Sequence, residues 1–355
     1  MKIKSFNQDG AQYITALISE AVENGTRTAT VSGNYIVDEA IRIPSNFTLI
    51  LENCYLMQKA GSFSNVFVNE HHGTEIGKTT EGTDTNISII GRGEAVLDGG
   101  EYNGLSERTQ LKDGMPPIWK NNLVLFTNVD GFKVSGISCK NQRWWSLNFI
   151  YCRNGYISNV DFCANDTGID ENGIIYHGLK RDKYSEVLVK NADGIDLRQG
   201  CHDITIENIT GFTEDDTIAL TNLNGKLEQT FSVDGLCSDI CNVSIKNVAS
   251  AAFCAIVRLL NQGDLKLHDI TIDGITDTAP ASPHLDSNAC AVRIGDTHMY
   301  GKRHATKEET YNITVKNVCA SGQQAISLAG DMQNVVIYGI ECKNGCQMLL
   351  DMRQK

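Results

Sequence analysis

One short phrase recurs along this chain: a polar residue, Ile or Val, any residue, Ile or Val, any residue, Asn or Gly, then Ile or Val. It reads GFKVSGI from Gly131, GYISNV from Gly155, DITIENI from Asp203 and NVSIKNV from Asn242. It returns as DITIDGI from Asp269, NITVKNV from Asn312 and NVVIYGI from Asn334. Alternating β-branched residues specify strands with one buried face. Phe132 and Tyr156 are 24 residues apart, Val243 and Ile270 are 27, and Ile313 and Val335 are 22. The wider gap from Ile270 to Ile313 reads as one coil plus an inserted loop.

A period of about 22–27 residues with several short strands in each is the signature of a β-solenoid. A β-sandwich would not hold one phrase at one spacing. The expected fold is therefore all-β, a right-handed parallel β-helix forming a single domain over residues 1–355. The helical pattern QYITALISEAVENG falls in the region 1–30 and is expected to cap the open edge of the first coil. Residues 165–187, 221–238 and 276–290 interrupt the period and are expected as inserted loops. At least two of them should rise beside the acidic cluster described below and narrow its cleft.

The formal net charge is −12, which argues against nucleic acid, whose binders carry a basic stripe. No apolar run is long enough to span a membrane. The N-terminus MKIKSFNQDGAQ lacks the apolar core of a secretory signal, so the expected location is cytoplasmic, or secreted if a leader has been trimmed. On that basis the 12 cysteines are expected to be buried free thiols rather than disulfides. The close spacings Cys237/Cys241 and Cys342/Cys346, and the pair His71–His72, lack the further ligands of a metal site. No metal and no cofactor are expected. Oligomeric state is left open.

Two segments concentrate carboxylates: NADGID from Asn191 and EDDTIAL from Glu214. Asp193 and Asp215 are 22 residues apart, one coil. Residues one coil apart lie about 4.8 Å from each other, so Asp193, Asp215 and Asp216 should share a patch. Strict alternation would point Asp193 and Asp216 inward with Ile195 and Ile218. Burying unpaired carboxylates in the core costs too much, so both should lie at the bend before the strand. Asp196 and Arg198, mid-strand, should face out beside them and bind substrate. Crowded carboxylates cannot all ionise normally, and one should stay protonated. An acid beside an ionised base is the equipment for breaking a glycosidic bond. The competing reading is a solvated turn, which Asp and Gly favour anyway.

Other candidates follow from parity. If Ala255, Val257 and Leu259 face in, Arg258 faces out, one coil before Arg293. Trp144 and Trp145 are adjacent, so on a strand one faces in and one out. His202 follows LRQGC in a turn near the acidic patch and is either a proton shuttle or a plain surface histidine.

The run NQRWWSLNF from Asn141, then NADGID, then EDDTIAL resembles the polygalacturonase family, family 28 of the glycoside hydrolases. That family carries an aromatic strand, then N-T-D-G, D-D, G-H-G and R-I-K. The resemblance covers roughly residues 120–300. It implies inverting hydrolysis without a metal. Asp215 would be the general acid, with Asp193 and Asp216 activating water. Arg293, in VRIG, would bind substrate, and Trp145 would pack at the cleft floor. Two motifs depart from the family. Phe253 or Cys254 stands where G-H-G has its His, and Gly295 stands where R-I-K has its Lys. An Arg258–Arg293 pair would then clamp an anionic sugar.

The expected activity is glycoside hydrolysis of an oligosaccharide or polysaccharide, pectin-type or otherwise uronic-acid-containing. The alternatives are a calcium-dependent polysaccharide lyase or epimerase and a non-catalytic carbohydrate-binding β-helix.

Overall fold

A computed structural model describes residues 5–101, 118–169, 174–179, 192–262, 264–296 and 303–353. Two parallel sheets run the length of the molecule, one of 11 strands and one of 10. A typical coil gives one long, bent strand to the first sheet and one short strand to the second. The fold is a right-handed parallel β-helix, as the repeated phrase predicts.

The phrase encodes the bends as well as the strands. Its first and sixth residues sit in the left-handed region: Asp203 (φ 55) and Asn208 (φ 57), Asn242 (φ 51) and Asn247 (φ 53), Asn312 (φ 54) and Asn317 (φ 57). Asn and Asp tolerate this conformation best among residues with a Cβ. Each left-handed residue shifts the alternation, so Ile204, Ile206 and Ile209 all point inward. They stack on Val243, Ile245 and Val248, which stack on Ile270, Ile272 and Ile275. The bend residues also form ladders along the axis. Asn312 Nδ2 donates to Asp269 Oδ1 at 2.9 Å and Asn334 Nδ2 to Asn312 Oδ1 at 3.0 Å.

One register differs from the expected spacing. Gly155, not Tyr156, pairs with Phe132, so the phrase there begins at Asn154 (φ 53). Gly155 occupies an apolar slot because the Phe132 ring fills it. A Cβ on Gly155 would lie 2.1 Å from Phe132 Cζ. That ring stacks on Phe149, with centroids 4.6 Å apart.

The helix Gly10–Glu23 buries Ile14 and Ile18 against the first coil, which is the expected cap. At the other end, the strands Gln333–Cys342 and Gln347–Arg353 are largely exposed. The insertions are shorter than the interruptions of the phrase suggest. Short strands extend over Ile218–Asn222 and Cys290–Ile294, and the long strand Leu267–Asp277 enters the third stretch. Between them lie a short helix, Lys226–Thr230, and a 3-10 turn, Ala279–Ala281. The first insertion contains an antiparallel pair, Thr167–Ile169 with Ile175–His177; its residues 170–173 and 180–187 lie outside the described residues. Leu179 N–H donates to His284 O at 2.7 Å, which ties the first insertion to the third. Both pack on Phe212 and Phe253 at the corner leading into the short strands.

All 12 cysteines are free, and Cys54, Cys139, Cys152, Cys201 and Cys290 are buried. The buried-thiol expectation does not extend to Cys237, which is exposed. Among the described residues no helix is long and apolar enough to cross a membrane.

Candidate active site

The outer face of the short-strand sheet carries a row of side chains, one per coil. From the N-terminal end it reads Arg42, Val68, Leu125, Asn148, Asp196, Ala219, Arg258, Arg293. After Arg42 the row is apolar at Val68 and Leu125, and from Asp196 on it carries Asp196, Arg258 and Arg293. There a cleft of about 100 Å³ opens, lined by Trp145, Asp193, Asp215, Asp216, Arg258 and neighbouring residues. A larger hollow of about 590 Å³ lies elsewhere, beside Met57, Lys59, Asp98 and Asn141. It has no comparable convergence of carboxylates, so the smaller cleft is the candidate.

Asp193, Asp215 and Asp216 occupy the bend before the strands Ile195–Arg198 and Ile218–Asn222, as the burial argument requires. The register between them is one residue off the expected one. Ile195 pairs with Ile218, which sets Asp193 level with Asp216 rather than Asp215. Asp193 Oδ1 accepts the Asp216 N–H at 2.9 Å. Each of the three offers a carboxylate oxygen, and these lie within 4.8 Å of one another. They are the residues that could hold a cation, although the Arg258 guanidinium already supplies a positive charge, 3.5 Å from Asp216 Oδ2.

Burial, more than mutual repulsion, sets the electrostatics. It pushes the Asp193 and Asp215 carboxyls well above the usual carboxylate range, and neighbouring acids push them further. Asp216 is also raised by burial, but Arg258, the Ala255 N–H at 2.9 Å and Arg293 pull it back. Asp196 is raised by burial to about 7 against the pull of Arg198. So the single raised carboxyl expected from crowding is in fact a group of four. Asp215 is the most open of them, 9% exposed, and its Oδ1 has no hydrogen-bond partner.

Arg198 and Asp196 face outward but are not open to a sugar. Arg198 donates to Asn148 Oδ1 at 3.2 Å, Glu228 Oε1 at 3.1 Å and Asp196 Oδ1 at 3.1 Å. Its guanidinium also stacks 3.7 Å over the Trp145 ring. Substrate binding was the expectation for this arginine; its contacts are internal. Asp196 lines the cleft but is fully buried, at 0% exposure. The tryptophans also differ from the strand reading. Both precede the strand Leu147–Ile150, and both join one apolar cluster outside the coil. Trp145 lines the cleft. His202 belongs to the other sheet, where it opens the strand His202–Thr213 and its Nδ1 pairs with Asp203 at 2.6 Å. It is a surface histidine and not part of this site.

Arg258 and Arg293 are direct neighbours on adjacent strands, as parity predicts. Of the two candidates for the missing histidine, Cys254 is the one beside Asp215: its N–H donates to Asp215 O at 3.2 Å. Phe253 is buried against the insertions instead. Glu228 escaped the sequence reading. It sits in an aperiodic stretch, and no local signal ties it to Arg198.

The profile of glycosyl hydrolases family 28 matches residues 39–245, more than half of the chain and inclusive of all four cluster aspartates. The chain belongs to glycosyl hydrolase family 28. It is a glycosidase, and its polygalacturonase-like motifs sit where the fold brings them together. No curated protein matches it in sequence. Among solved structures, an enzyme named 1,3-α-1,4-β-D-galactose-4-sulfate-3,6-anhydro-D-galactose-2-sulfate 4 galactohydrolase superposes with TM-score 0.60 at 11% identity, over 99% of this chain and 87% of that one. The tailspike protein of E. coli bacteriophage HK620, in complex with a pentasaccharide, gives 0.60 at 14% identity, over 97% of this chain and 61% of the tailspike. An exopolygalacturonase from Thermotoga maritima gives 0.46 at 14% identity, over 96% and 88%. At these identities the two higher scores speak for the fold alone.

Proposed function

We propose that this family 28 glycosidase hydrolyses an acidic, uronic-acid-containing oligosaccharide by general acid–base catalysis. The observation that carries the reading is the convergence of Asp193, Asp215 and Asp216 within 4.8 Å, with Arg258 and Arg293 beside them. Asp215, protonated and the most open, gives its proton to the glycosidic oxygen as the bond to the anomeric carbon breaks. Asp216 is kept the most anionic of the group by Arg258 and takes a proton from water, while Asp193, whose Oδ1 accepts the Asp216 N–H, holds it in place. The resulting hydroxide oxygen bonds to the anomeric carbon. Arg258 and Arg293 form a local positive surface on an acidic chain, which suits a sugar carboxylate.

The test is a screen of pectic and other acidic oligosaccharides for reducing-end release, with and without chelator. Product configuration should be read by NMR in the first minutes. The carboxylate oxygens lie closer than the ~6.5–9.5 Å usual for an inverting pair. The family motifs imply inversion, whereas so short a spacing suits retention, which would make Asp193 or Asp216 a nucleophile. One second reading has a specific observation behind it. Three buried carboxylates with one oxygen each in reach of a common point suit Ca²⁺. Activity lost to chelator, restored by Ca²⁺ and yielding an unsaturated sugar would favour a lyase.

A further inference from the structure

The outward row on the short-strand sheet is sealed at its N-terminal end, while Arg258 and Arg293 further along it stay partly exposed. The seal is the inserted segment between Asn222 and Ile240. Its Leu227, Phe231 and Val233 cover Val68, Leu125 and Ile150 on the N-terminal coils. Val68 is 1% exposed and Leu125 0%, so no sugar can lie along that part of the face. Several contacts hold the segment down. Phe231 stacks on His72 with centroids 4.9 Å apart, Tyr151 Oη and Ser238 Oγ are 2.9 Å apart, and Asp234 N–H donates to Lys78 O at 3.3 Å. The burial that results drives the His72 pKa down to about 4.

The edge of the seal is an ion pair at the cleft. Glu228 is a buried acid on the inserted helix. Its Oε1 accepts from Arg198 at 3.1 Å, and its Oε2 accepts the Gly225 N–H at 3.1 Å. One carboxylate thus caps its own helix and latches it to the cleft wall. Arg198, clamped between Glu228, Asp196 and the Trp145 ring, forms the end wall beside Asp193. On the other side of the aspartates the row continues over Arg258 and Arg293, which Ser327 follows.

We propose that the enzyme acts from one end of its glycan, with the inserted segment as the stop and Glu228 as the residue that positions it. This rests on the hydrolase reading above. A chain threaded through the cleft would have to run over Val68 and Leu125, which the stop occupies. Only a chain end can reach the Arg198 wall, with the remainder extending over Arg258 and Arg293. Glu228 touches no substrate; it acts by holding the wall in place.

The test uses uronic-acid oligosaccharides of graded length, labelled at one end or the other, with the full-length protein. Wild type should release a product of one size, from one end only. A ladder of intermediate products from wild type overturns the proposal. Glu228→Gln keeps the shape and removes the charge. Losing one of the two carboxylates that hold the buried Arg198 should loosen the wall, raising KM for short chains about tenfold, the worth of one charge-assisted contact. The double variant Leu227→Ser, Phe231→Ser removes the apolar seal and should yield intermediate-length products. If both variants fold and keep the wild-type product pattern and KM, the stop lies elsewhere and the proposal fails. If both variants unfold, the wild-type product pattern alone decides. If no oligosaccharide is cleaved, the hydrolase reading fails on its own account. Binding to Asp215→Asn then judges the stop: a chain blocked at both ends that binds as well as a free one overturns it.

Discussion

The Arg258 guanidinium reaches Asp216 Oδ2 at 3.5 Å from the next coil along the axis. It therefore serves the aspartate cluster as well as facing the cleft, and the two arginines of the pair should behave differently. Arg258→Ala removes the main charge that pulls Asp216 down. Asp216 must be ionised to accept a proton, so the acidic limb of the kcat profile should move to higher pH. Arg293→Ala should act chiefly through KM, because Arg293 is the weaker influence on Asp216. Steady-state kinetics across pH on an acidic oligosaccharide check both. Equal effects in both variants would reject this division.

Asp215→Asn keeps the shape of the acid and removes its proton. Turnover should fall by roughly 10²–10⁴-fold, the usual worth of a positioned acid. The wild-type profile should be bell-shaped, and the basic limb should flatten in the variant. Near-full activity on a verified substrate would remove Asp215 from the acid role.

The same cluster should make stability depend on pH. Unfolded aspartates titrate near 4, whereas burial raises Asp196 to about 7 and holds Asp193 and Asp215 well above the usual carboxylate range. The folded state therefore holds protons that the unfolded chain has released. The stability this contributes is fully present below about pH 4 and is lost as pH rises through 7 and beyond. Among the cluster variants, Asp215→Asn should raise Tm at neutral pH and change it little in acid. Thermal melts over that window measure it; a variant destabilised equally at every pH would point to a purely structural role.

Gly155 is glycine because of the space around it. A Cβ there meets the Phe132 ring at 2.1 Å. Gly155→Ala should cost about 1–3 kcal/mol, as overpacking does. Phe132→Leu in the same chain should recover much of that loss by freeing the slot. Chemical denaturation of the single and double variants gives the coupling, and simple additivity would argue against the clash.

Asn208 carries a different constraint, φ 57 on a long strand. Asn208→Ala should lose about 1–2 kcal/mol to the left-handed conformation, plus its ladder bonds to Asn159 and from Asn247. Asn208→Gly should lose less than Asn208→Ala, since glycine adopts the conformation freely. Both variants lose the same ladder bonds, so the reverse order in denaturation would overturn the backbone argument.

The chain itself determined the coil. Each turn of the solenoid meets the same constraints from its neighbours: left-handed residues such as Asp203 and Asn208, and inward residues such as Ile204, Ile206 and Ile209. A constraint repeated in seven phrases is legible without a structure. The bend that carries Asp193 and Asp216 was legible too, because buried unpaired carboxylates on the strand would not survive in the core. Tertiary structure alone decided what happens once. The level pairing of Asp193 with Asp216 depends on one extra residue at a corner, and the place of Gly155 depends on where the Phe132 ring lies. His202 lies near the acidic patch in sequence but on the other sheet in space. The contact between Glu228 and Arg198 spans 30 residues with no periodic partner. The raised carboxyls follow from burial, and burial is a property of packing that no spacing records.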